Sequence, residues 1–95
     1  MRAFMIERDL PGIGSAGEAQ LAAAAGNSNA ALARLAPRVQ WQHSYVTADR
    51  TSCLYLAEDE DAIREHARIS GFPATKITPV VERIDPTTAR QQVPA

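Results

Sequence analysis

The sequence predicts an α+β fold, a four-stranded antiparallel sheet with two helices on one of its faces. Three observations predict it. Residues 4–8, 39–47, 52–57 and 76–83 are short apolar stretches with the two-residue alternation of strands. Residues 15–35 and 58–70 repeat their apolar positions at helical spacing. The resulting order, β-α-β-β-α-β, is two β-α-β halves, which close into the ferredoxin-like arrangement.

The first strand puts Phe4 and Ile6 on one face and Met5 and Glu7 on the other. Leu10-Pro11-Gly12 stops it, because proline cannot donate to a sheet ladder and glycine permits a positive φ. Ser15 is the expected N-cap of the first helix, with Glu18 completing a capping box. Its inner stripe is Leu21, Ala25, Ser28, Leu32 and Leu35. Gly26, Asn27 and Asn29 are poor helix residues and mark an expected kink. Pro37 ends the element.

In the second strand Trp41, His43 and Tyr45 are expected on one face, with Gln42, Ser44 and Val46 on the other. Asp49-Arg50 is the expected turn. The third strand sets Leu54 and Leu56 against Cys53 and Tyr55. Asp59 is the expected N-cap of the second helix, and Glu60 and Asp61 complement its dipole. Its inner stripe is Ala62, Ile63, His66, Ala67 and Ser70, and Gly71 with Pro73 ends it. Val80 and Val81 are the expected centre of the fourth strand, where Pro79 signals an edge or a bulge. The domain is read as residues 1–84, followed by a polar tail at 85–95.

Bulk properties narrow the function. A chain of 95 residues is one domain with a modest core. A net charge of −1 supplies no basic field for nucleic acid and no polybasic membrane patch. The single Cys53 excludes an internal disulfide and a Cys-x-x-Cys motif. A free thiol fits a reducing cytoplasm. The apolar start is too short for a signal-peptide core, and no stretch is long enough to span a membrane. Neither side of the sheet reads as uniformly polar: Met5, Val46, Tyr55 and Val81 oppose Phe4, Tyr45, Leu54 and Val80. A second copy covering the free face, a homodimer, is therefore expected.

Residues 41–67 hold both histidines, both tyrosines, the one tryptophan and the one cysteine. Nickel, copper or zinc would be served by imidazole and thiolate, with carboxylate as a harder addition. The candidate ligands are His43, His66, Cys53 and Glu7, with Trp41, Tyr45 and Tyr55 lining the pocket. No H-x-x-x-H or H-E-x-x-H spacing occurs, so any site must be assembled in three dimensions. A shared site needs the strand histidine and the helix histidine held near each other. Hairpin register decides part of this. A two-residue turn at Asp49-Arg50 puts His43 and Cys53 on opposite faces; a three-residue turn of Asp49, Arg50 and Thr51 puts them on the same face. Each candidate also has a plainer role. His66 fits a hydrogen-bonded core histidine, Cys53 a small buried residue, and Glu7 an ion-pair partner for an arginine such as Arg83. Trp41, Tyr45 and Tyr55 are packing residues first.

The ordered set I-E-R-D-L-P-G at 6–12, H-S-Y-V at 43–46, C-L-Y-L-A at 53–57, A-I-R-E-H-A at 62–67 and G-F-P-A…I-T-P-V at 71–80 resembles a family of small ferredoxin-like bacterial proteins. That family is catalogued as a domain of unknown function, and some members are described as nickel-binding. The resemblance implies a ferredoxin-like subunit, dimerisation through the sheet, and binding of nickel or another divalent transition metal. Three functional classes follow. One is a metal-binding or metal-sequestering protein. Another is an enzyme or small-molecule-binding protein with a pocket between sheet and helices, using His43, His66 or Glu7 as acid or base. The third is a dimeric partner-binding module without chemistry.

Overall fold

The computed structural model describes residues 1–91. Of the expected tail, residues 92–95 lie outside the described residues. The elements are β1 (Arg2–Asp9), a 3-10 turn (Ile13–Ser15), α1 (Glu18–Leu35), β2 (Val39–Val46), β3 (Arg50–Ala57), α2 (Glu60–Ser70), β4 (Lys76–Pro79) and a 3-10 helix (Pro86–Gln91). The sheet runs β2-β3-β1-β4, with every neighbouring pair antiparallel. Both helices lie against one face, as the ferredoxin-like reading requires.

The core sits on that covered face. Phe4 and Ile6 of β1 and Cys53, Tyr55 and Ala57 of β3 meet Leu35 of α1 and Ala62 and Ile63 of α2. The two-residue alternation continues one step beyond Ile6, so Arg8 is buried as well. Asp59 caps α2 by accepting from Ala62 N at 2.8 Å. Gly71 closes the helix in the left-handed region at φ 79°, where its N–H donates to Ala67 O at 2.9 Å.

Five local expectations are corrected. Ser15 does not cap α1; it ends the 3-10 turn, and the helix starts after Gly17, whose N–H donates to Gln20 Oε1 at 3.0 Å. The expected kink is absent, and α1 is continuous over 18 residues. Asn27 is used for docking, since its Nδ2 donates to Ser70 O at the end of α2 at 2.7 Å.

The hairpin turn is Ala48-Asp49, not Asp49-Arg50: Thr47 N donates to Arg50 O at 2.9 Å, and Val46 pairs with Thr51. A bulge between Trp41 and His43 then splits the expected face of β2. Val39, Trp41 and Ser44 turn toward the helices, and Trp41 Nε1 donates to Ser44 Oγ at 2.9 Å. His43 and Tyr45 turn to the open face, opposite Leu54 and Ser52, with their rings edge-on at 5.3 Å.

β4 is shorter than expected. Val80 makes the last ladder bond, to Ala3 O at 2.9 Å, and Val81 beyond it is 97% exposed. Pro79 does stand on an edge strand.

Candidate functional site

The four expected ligands are not gathered in one place. Glu7 and His43 stand on the open face of the sheet, Glu7 on β1 and His43 on β2, with β3 between them. Glu7 is paired with Arg50 at 3.5 Å rather than with Arg83, which pairs with Asp85 at 2.9 Å. Cys53 and His66 lie on the covered side, 4% and 0% exposed. The turn position therefore separates His43 from Cys53, and the sheet separates the two histidines. Among the described residues, no group of three or more His, Cys, Asp or Glu side chains converges to hold a metal ion. Within one subunit these residues do not fit a nickel site.

What the fold does assemble is a polar cluster beneath the sheet. Arg8 of β1, Tyr55 of β3, Ser28 of α1 and His66 of α2 meet there. Ser28 Oγ and His66 Nε2 are 3.1 Å apart. The rings of Tyr55 and His66 are tilted, with centroids 5.3 Å apart. The Arg8 guanidinium lies 5.8 Å from the Tyr55 ring centroid, within cation–π range. Arg8 Nη1 donates to Pro73 O at 2.9 Å and to Phe72 O at 3.4 Å. Arg8 Nη2 and His66 Nδ1 are buried with no hydrogen-bond partner among the described residues.

Electrostatics follow from this packing. Burial, reinforced by the positive charge of Arg8, pushes the His66 pKa down to about 4, so the imidazole is neutral at pH 7. Burial also pushes the Tyr55 phenol up, against the opposing pull of Ser28 and Arg8. The one full charge in the cluster is Arg8, which is 3% exposed. No carboxylate among the described residues pairs with it. The adjacent Glu7 and Asp9 are instead held by Arg50, at 3.5 and 3.0 Å.

A cavity of about 290 Å³ opens beside this cluster, between α1 and the sheet. Arg8, Ser28, Ser44, Thr51 and Tyr55 supply its polar wall, while Trp41, Leu21 and Phe72 are among its apolar residues. Of the expected pocket residues, Trp41 and Tyr55 line it; Tyr45 is on the other face, 65% exposed. A second depression, at Pro11 and the hairpin tip, is wide open and contains none of the expected ligands. Arg8 was missed as a functional candidate. Its signal was present in the alternation Phe4, Ile6, Arg8, which places an arginine on an apolar face.

Comparison with known proteins adds a family and a fold. The family model described as "Nickel responsive protein SCO4226-like" matches residues 4–80. Among solved structures, the chain is similar to SCO4226 from Streptomyces coelicolor A3(2), with a TM-score of 0.73 and 19% identity. The match covers 86% of this chain and 99% of that one. At that identity the likeness bears on the fold alone. No curated protein matches. No helix among the described residues is long and apolar enough to cross a membrane.

Proposed function

The chain belongs to the nickel responsive SCO4226-like family, and from that premise we propose that it is a nickel-type metal-binding protein of the cytoplasm, working as a homodimer that holds its metal at the open face of the sheet. One observation carries this reading: His43 and Glu7 share the face opposite α1 and α2. Two strand spacings across the sheet and two residues along it, roughly 12 Å, separate them within a subunit, too far for one ion. An isologous pairing of two open faces lets His43 of one copy meet Glu7 of the other, twice over. The apolar content of that face, including Met5, Leu54 and Leu56, supports the pairing. Cys53 and His66, sealed beneath the sheet, take no part.

The test is calorimetric titration of metal-free protein with nickel, zinc and copper. Saturable uptake of nickel near one ion per chain is expected. It should be lost in His43→Ala and Glu7→Gln and kept in Cys53→Ala. Silence from all three metals would retire the reading. The cavity beside Arg8 favours a second reading for the covered side of the sheet, a small-molecule-binding protein.

A further inference from the structure

We propose that the cavity between α1 and the sheet binds a small apolar monocarboxylate, with its carboxylate on Arg8 and its hydrocarbon body among the apolar residues of α1 and β2. The proposal rests on the small-molecule reading and is independent of metal. Its first support is the state of Arg8. A guanidinium 3% exposed, with Nη2 unpartnered and no acid paired to it among the described residues, is a buried charge without a counter-ion there. Such a charge is costly unless an anion joins it. Nη1 is fixed on the carbonyls of Phe72 and Pro73, which aims the group rather than neutralising it.

Second, Arg8 lines the cavity together with hydroxyl donors at Ser28, Ser44 and Thr51. A planar guanidinium edge beside hydroxyls suits a carboxylate. A single positive charge beside a neutral His66 matches one negative charge and not two, so a phosphate dianion would be left half-compensated. Third, most of the remaining wall is apolar: Leu21, Ala24 and Ala25 of α1, Trp41 of β2, and Leu10 and Ile13 between β1 and α1. The volume of about 290 Å³ is at the small end of ligand sites, which suits a medium-chain acid rather than a long one.

Octanoate is the probe, octanol its neutral counterpart, and Trp41 the reporter, because the one tryptophan lines the cavity. Octanoate is expected to change Trp41 fluorescence saturably and to raise the melting temperature of the full chain. Arg8→Met should weaken octanoate about ten- to hundredfold and octanol by a much smaller factor. Ala25→Leu, which narrows the cavity without touching Arg8, should weaken both ligands and serves if Arg8→Met does not fold. Equal binding of octanoate and octanol by the unmodified chain would overturn the carboxylate assignment while leaving a small-molecule site. Failure of both to bind would overturn the site itself.

Discussion

Ser28 Oγ on α1 and His66 Nε2 on α2 stand 3.1 Å apart, a hydrogen bond that ties the two helices together over the covered face of the sheet. His66 is fully buried, and its other nitrogen, Nδ1, has no partner among the described residues. The Ser28 contact is thus the one hydrogen bond that the ring makes among the described residues. Ser28→Ala is expected to leave the imidazole wholly unsatisfied and to destabilise the fold by about 1–3 kcal/mol. Urea unfolding measures it; a loss below about 0.5 kcal/mol would mean that the bond carries little.

The same histidine makes stability depend on pH. Its folded pKa of about 4 lies below the ordinary value of 6.5, so the unfolded chain binds the extra proton first as pH falls. Stability is full above pH 6.5 and declines as pH drops toward 4. Between pH 7 and pH 5 the decline from this group is about 2 kcal/mol. His66→Leu should flatten that slope whatever its own stability. An unchanged slope would show that other groups govern the acid limb.

Two glycines should respond to alanine with opposite signs. A Cβ on Gly14 would come within 2.7 Å of Ala48 Cα and 2.9 Å of Thr47 O, both backbone atoms of the hairpin tip. Gly14→Ala should therefore cost about 1–3 kcal/mol. A Cβ on Gly26, inside α1, meets nothing within 4 Å. Gly26→Ala should stabilise by about 0.5–1 kcal/mol through helix propensity. Thermal melts of both variants check the pair.

The proposed pairing through the open face makes Leu54 a sensitive position. It stands half-buried between His43 and Met5, on the face opposite α1 and α2. Leu54→Asp should give a folded chain of half the assembled mass by light scattering, with an unchanged circular-dichroism spectrum. A monomeric mass for the unaltered chain at micromolar concentration would remove the pairing.

Much of the architecture was legible because it is written locally. The alternation of β1 and β3 told which residues share a face within each strand, since both strands are regular along their length. Only the strand pairing showed that Tyr55 joins Phe4 on the covered face and Leu54 joins Met5 on the open one, the reverse of the expected grouping. Asp59 and Gly71 marked the ends of α2 because capping chemistry depends on the residue itself. Pro79 marked an edge strand for the same reason. The histidine stripe of α2 was legible too, and with it the burial of His66.

β2 was not legible, and the candidate metal site depended on it. Its turn is set by distant chain. Leu10 N and Gly12 N donate to Asp49 O and Asp49 Oδ1 at 2.9 and 2.8 Å, and Gly14 N donates to Ala48 O at 2.9 Å. These bonds fix Ala48-Asp49 as the tip, and the bulge near Gln42 absorbs the remaining offset.

By itself, the sequence determined the layering of this protein: four strands, two helices and the inward stripe of each helix, because hydrophobic period and capping are properties of neighbouring residues. Only the tertiary structure decided that His43 and His66 face opposite sides of the sheet, and that Arg8 is buried with no counter-charge among the described residues. Both depend on contacts between residues dozens of positions apart, and a one-residue offset in pairing moves a side chain from one side of a sheet to the other.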